Sequence, residues 1–186
     1  MKNRLVIGLS GASGAPLAVK LLSVLRSLDE YESHVVITRG FTETLTVETN
    51  TSVSELYDLS DKVYDNSAIG ASIASGTFKT LGMIVVPCSM KTLAGIAHGY
   101  SENLLLRAAD VTIKERRKLV LVARETPLNP IHLENMLALS RLGVVIMPPM
   151  LSYYNRPESI DDMSHHIVCK ILDVFNIEPP MFIRCV

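Results

Sequence analysis

Residues 5–22 read LVIGLSGASGAPLAVKLL: an apolar run, a turn of small residues, and the start of an amphipathic pattern. Leu5 to Leu9 is apolar without alternation, as expected of a strand buried on both faces. Ser10-Gly11-Ala12-Ser13-Gly14 interrupts it. Pro16 then suits the first turn of a helix over Ala15 to Leu28, with Leu17, Leu21, Leu25 and Leu28 on one face. The first N–H groups of a helix lack internal partners, and its dipole favours negative charge there. The turn is therefore either a seat for a phosphate-bearing ligand or an ordinary tight corner between strand and helix. Two familiar patterns do not fit it. Gly8, Gly11 and Gly14 give G-x-x-G-x-x-G rather than the dinucleotide spacing, and the next strand ends in Thr38-Arg39 without an acid for a ribose diol. No Gly-Lys-Ser/Thr follows, so it is not a P-loop.

Beyond this unit, strand and helix signals alternate. Strands are expected over His34 to Thr38, Met83 to Val86 (ended by Pro87), Leu119 to Ala123 and Val144 to Met147. Helices are expected over Phe41 to Glu48, Ser89 to His98, Leu104 to Arg117, Ile131 to Leu142 and Ser159 to Phe175. A short helix after Asn50 would be capped by Ser52 or Ser54. The Ser/Gly-rich stretch from Asp61 to Gly76 reads as mostly irregular. This order implies an α/β fold, one domain over residues 1–186, with a parallel sheet covered on both faces. Ligands of such sheets sit beyond the carboxyl ends of the strands. That rim gathers Ser10 to Gly14, Thr38-Arg39, Pro87 to Thr92, Arg124-Glu125 and Pro148 to Tyr154.

Composition narrows the class. With 18 basic and 19 acidic residues the formal charge is −1, so nothing calls for nucleic acid. Hydrophobic residues make up 48%, and mean hydropathy is +0.27. No apolar run is long enough for a membrane span, so the surplus points to subunit interfaces and a homo-oligomer. Lys2 and Arg4 before Leu5 imitate a signal peptide, but the apolar run is too short and reads better as a strand. The cysteines, Cys88, Cys169 and Cys185, are odd in number without C-x-x-C spacing, which fits a reducing cytoplasm and gives no zinc motif.

Each chemical candidate has a plain alternative. Ser89 and Thr92 offer hydroxyls at a helix start, and Lys91 adds charge there; an ordinary N-cap would look the same. Arg116, Arg117 and Lys118 read as a solvated face, whereas Arg124 at a strand end is placed to fork onto a phosphate, with Glu125 beside it to orient it or move a proton. Glu48 closes an apolar, hydroxyl-rich helix; turned into a dry rim its pKa would rise and suit acid–base work, and otherwise it is a solvated carboxylate. Tyr153-Tyr154 is a functional loop element or an aromatic plug. His165-His166 cannot share a metal, because adjacent helical side chains diverge by about 100°. Cys88 reads as packing.

The stretches GLSGASGAPLA, VVPCSMKTLAGIAHG, LLLRAADVTIKERRKLVLVARETPL and IHLENMLALSRLGVVIMPPMLSYYNRP together resemble the flavin prenyltransferase family, the UbiX/Pad type, over nearly the whole chain. The resemblance implies a Rossmann-like, flavodoxin-like three-layer sandwich around a mostly parallel sheet, assembled as a dodecamer with sites at subunit interfaces. It implies FMN, reduced, as acceptor of a dimethylallyl group from dimethylallyl monophosphate, at N5 and then C6, without a metal. The product would pass to a UbiD-type decarboxylase of phenolic acids. Gly11, Ala12 and Ser13 would lie at the flavin, with Thr38, Ser89, Met90, Lys91, Thr92 and Arg124 around its ribityl phosphate. Arg107, Lys114, Arg124, Glu125, Tyr154 and Lys170 would grip the prenyl phosphate, some from neighbouring copies. Ser13, Glu48 and Glu125 would be catalytic. Two departures are visible: Lys170 stands where many relatives carry arginine, and the chain has no Trp, which some relatives place near the C-terminus. Oxidative cysteine decarboxylases of related fold carry an Asn/Met-rich substrate loop that PPMLSYYNRP does not match. An FMN-binding accessory subunit would not require Glu48, Glu125 or Lys114.

Overall fold

A computed structural model describes residues 2–182. Six strands form one sheet: β1 (Asn3–Leu9), β2 (Tyr31–Ile37), β3 (Lys62–Tyr64), β4 (Gly82–Cys88), β5 (Lys118–Ala123) and β6 (Val145–Ile146). Every pairing is parallel, and the order is β3-β2-β1-β4-β5-β6. The expected sheet is thus present and is parallel throughout. The helices are α1 (Ala15–Arg26), α2 (Arg39–Glu48), α3 (Val53–Asp58), α4 (Met90–Ala97), α5 (Leu104–Lys114), α6 (Pro130–Arg141) and α7 (Ile160–Asp173).

Alternating side chains of the central strands feed two cores. Leu5, Ile7 and Leu9, with Ile84, Val86, Val120 and Val122, pack against α1 and α7. Val6, Met83, Val85, Leu119 and Leu121 pack against α4, α5 and the end of α6. Burial on both faces explains why these strands show no polar alternation. The strand order reverses between β1 and β4, so their carboxyl ends open a crevice at the switch point.

Several boundaries differ from the sequence expectation. The stretch called irregular contains β3 and a 3-10 turn at Ser72–Ala74. Asp61 accepts from Ser33 N and Oγ at 2.9 and 3.0 Å, which pins β3 to β2. Pro87 does not end β4; the strand runs on to Cys88. Helix α5 stops at Lys114, and Arg116 turns the chain at φ 54°. Arg117 then leaves the solvated face assigned to it: its guanidinium donates to the carbonyls of Gly76 and Phe78. Ser52 caps α3 with a reciprocal bond from Glu55. Among the described residues no helix is long and apolar enough to cross a membrane.

Candidate active site

Two turns meet at the switch point through one buried hydroxyl. Ser10, 1% exposed, donates from Oγ to Pro87 O at 2.9 Å and accepts from Ser89 N at 2.9 Å. The turn after β1 is thereby tied to the start of α4. Ser89 caps α4 by accepting from Thr92 N, and its hydroxyl donates to Thr92 Oγ1 at 3.1 Å. Thr38 caps α2 by accepting from Phe41 N. Gly11 lies against Gly40 of α2 so closely that a Cβ at Gly11 would stand 2.8 Å from the Gly40 carbonyl carbon. A cleft of about 670 Å³ opens beside these turns, lined by Gly11, Thr38, Ser89, Lys91 and Thr92, with Leu105 and Leu106 supplying an apolar wall. Two helix N-termini, hydroxyls and an ammonium at one end suit a phosphate, and the apolar wall suits a planar ring. This donor set fits FMN. Met90 is half-buried and packs into the α4–α5 core rather than lining the cleft.

The N-terminus of α1 is not the phosphate seat that its sequence suggests. Glu48, on the last turn of α2, reaches it first: its Oε2 accepts from Gly14 N at 2.8 Å and Ala15 N at 2.9 Å. The Ser13 hydroxyl and the Arg124 charge also act on this carboxylate. Burial by itself would raise the Glu48 pKa; the Ser13 hydroxyl, the bonds from Gly14 and Ala15 and the Arg124 charge outweigh it and hold the group below its ordinary value. Glu48 is thus neither the dry, raised-pKa carboxylate nor the freely solvated one that the sequence left open, because the helix N–H groups solvate the charged form. The carboxylate is held ionised there, with Oε2 engaged by the two backbone N–H groups. Ala12 N is turned back onto Ser10 O at 2.9 Å.

The remaining candidates fall into separate groups. Arg124 sits just past β5, its N–H donating to Cys88 O at 3.1 Å, with an exposed side chain. Glu125 is exposed too, and its Oε1 accepts from Thr126 N at 3.0 Å rather than orienting Arg124. Arg107 and Lys114 lie on α5 and pair with acids of the same segment, Arg107 with Asp110 at 2.7 Å and Lys114 with Glu115. Neither lines the cleft. Tyr154 and Lys170 gather instead around His166 of α7: the Tyr154 hydroxyl is 2.9 Å from His166 Nε2, and Lys170 stands one turn further along the helix. The Phe182 ring lies 5.8 Å from the His166 ring and 5.9 Å from the Lys170 ammonium. His165 points elsewhere, to Pro180 O and Cys169. Burial pushes the Cys88 thiol far up, in keeping with packing. Among the described residues no group of three or more His, Cys, Asp or Glu is placed to hold a metal.

The chain is similar to known proteins over nearly its whole length. The family model described as Flavoprotein matches residues 1–172. A Streptomyces sp. protein named probable UbiX-like flavin prenyltransferase is 53% identical over 95% of this chain and 88% of its own. The chain belongs to the UbiX-like flavin prenyltransferases. Two solved structures of this family superpose closely. The dodecameric FMN-dependent UbiX-like decarboxylase of Escherichia coli matches with a TM-score of 0.97 and 51% identity, covering 98% of this chain and 99% of that one. The AnUbiX complex with FMN and dimethylallyl pyrophosphate gives 0.98 and 44%, covering 100% and 98%.

Sequence reasoning missed three contributors. Ser10 was legible as part of the rim turn, but not as the hydroxyl that ties this turn to the start of α4. Gly40 carried a weak signal, a glycine two residues past a strand end. His166 was hidden in a histidine pair that spacing could not resolve.

Proposed function

We propose that this chain joins a dimethylallyl group from dimethylallyl monophosphate to N5 and C6 of reduced FMN, giving prenylated FMN for a UbiD-type decarboxylase of aromatic acids. The reading rests above all on Glu48, a carboxylate seated on Gly14 N and Ala15 N at the switch-point turn, beside Ser13. Reduced FMN, when bound, supplies the nucleophilic nitrogen and the ring carbon. Gly11 and Ala12 give the flavin close backbone approach, and Thr38, Ser89, Lys91, Thr92 and Arg124 hold its phosphate end. Met90 packs behind them. Ring closure adds one proton to the remaining alkene and removes one from the ring carbon, so Glu48 would relay a proton on a carboxylate oxygen, with the Ser13 hydroxyl beside it. Tyr154, Lys170, Arg124 and Glu125 surround the prenyl phosphate, with Arg107 and Lys114 brought from neighbouring copies. They stabilise the negative charge of the leaving phosphate. Apolar walls keep water from the allylic carbon.

The active form is a dodecamer of a single FMN-binding domain spanning residues 1–186, working in the cytoplasm. The deciding experiment mixes the protein anaerobically with reduced FMN and dimethylallyl monophosphate and records the mass of the extracted flavin. A flavin heavier by one dimethylallyl unit supports prenyl transfer. Unmodified flavin from an FMN-loaded oligomer would overturn it.

A further inference from the structure

His166 is 5% exposed, yet it is a polar side chain with a specific partner. Its Nε2 is 2.9 Å from the Tyr154 hydroxyl, and the two rings meet edge to face, with centroids 5.4 Å apart at 84°. Phe182 approaches its ring from another direction. His166 and Lys170, four residues apart on α7, both border a small cavity of about 140 Å³ beneath Met147 and Pro148. The imidazole therefore stands beside the two groups expected to hold the prenyl phosphate, with the Tyr154 and Phe182 rings against it.

We propose that His166 is a positioning residue that holds the Tyr154 hydroxyl as a donor toward the phosphate of the prenyl substrate. This rests on the prenyl-transfer reading. The argument is one of hydrogen-bond inventory. A phosphate dianion offers only acceptors, and a phenol has a single O–H. If that O–H were spent on the imidazole, only lone pairs would face the phosphate. If Nε2–H donates to the Tyr154 oxygen, the O–H is released toward the substrate and made a stronger donor. Burial, then Lys170 and His165, lowers the His166 pKa, so the ring is neutral and has one N–H to assign. A bound phosphate selects the Nε2–H form. Tyr154 belongs to an exposed loop, and among the described residues this bond is what ties its hydroxyl to α7.

The test titrates dimethylallyl monophosphate into FMN-loaded protein by calorimetry, with turnover followed separately. His166→Phe should weaken binding by about threefold to tenfold, the size of one hydrogen bond. His166→Gln, whose amide N–H reaches a similar point, should stay within about twofold of the parent. The double variant Tyr154→Phe with His166→Phe should be no weaker than Tyr154→Phe alone. FMN loading should be unchanged in all of them. If His166→Phe does not load FMN, His166→Asn takes its place, because its shorter amide stops short of Tyr154, and the same loss is expected. Binding equal to the parent in the variant lacking the donor, or losses that multiply in the double variant, would overturn the role. A parent that binds the substrate but prenylates nothing would sink the prenyl-transfer reading while the binding series still judges His166. A parent that does not bind it at all would sink both.

Discussion

At the scale of single residues, Glu48 is the most informative side chain. It binds the N-terminus of α1 from 34 residues away, so its charge serves the fold as well as the chemistry. Glu48→Gln keeps a carbonyl acceptor but loses the charge, and should cost about 1 kcal/mol of stability, as a lost helix cap does. The sign with pH follows from the lowered pKa. A carboxylate whose folded pKa lies below its unfolded value of 4.5 stabilises the fold above that value. The contribution is lost as pH falls through the lower folded value. The glutamine variant should therefore show a shallower acid loss, measurable by urea unfolding at a series of pH values. FMN should still load, whereas prenylated flavin should fall at least about 100-fold, the usual weight of a proton-transfer group. Parent-like turnover would remove Glu48 from the mechanism. Lys170 carries a second expectation. An ammonium is a point charge, and a guanidinium in its place can fork onto phosphate. Lys170→Arg should lower the KM for dimethylallyl monophosphate by about threefold with kcat little changed; a raised KM would mean that the Phe182 side of the pocket is fitted to lysine.

At the scale of elements, the site is an interlock of turns. Gly11 has no room for a side chain because the neighbour that would be struck is Gly40 backbone, which cannot rotate aside. Gly11→Ala should separate the first turn from α2, weakening FMN by about tenfold and costing about 1–3 kcal/mol. A flavin fluorescence titration and a thermal melt would read both, and unchanged FMN affinity would show that the cleft does not hold the flavin at this turn. The same scale explains what the sequence disclosed. Leu5 to Leu9 and Met83 to Val86 announced central strands because both faces are buried, which needs only local hydrophobicity. Lys62–Tyr64 did not, because three residues on one edge, set among Ser and Gly, carry no period, and their pairing depends on Asp61 meeting Ser33. The rim rule collected turns that meet beside one cleft, including Thr38 and Ser89. It failed on charge: no local pattern says that Glu48 will fill the helix start that glycine and serine leave open. Likewise, Arg117 looked solvated because its carbonyl partners lie about 40 residues away.

At the scale of the whole molecule, one surface is out of keeping with an isolated chain. Helix α6 buries little beyond Asn135 and Leu139 and leaves Ile131, Leu133 and Leu137 more than half exposed. Leu133 and Leu137 are one turn apart, so their side chains form a continuous apolar strip. Arg107 and Lys114 meanwhile lie outside the cleft of their own chain. If the site is completed across subunits, the apolar strip and the two cations answer one need: packing α6 against another copy would remove the strip from water while bringing α5 of a neighbour within reach of a prenyl phosphate. Replacing Leu133 and Leu137 together by Glu should dissociate the assembly, because burying two carboxylates against apolar neighbours costs several kcal/mol. Light scattering after gel filtration would read the mass. Both positions are exposed in the isolated fold, so each subunit should keep its secondary structure. Prenyl transfer should fall with the assembly, since Arg107 and Lys114 would no longer reach the phosphate. A dissociated subunit that turned over at the parent rate would show that one chain holds a complete site, and would return both cations to the role of paired surface charges.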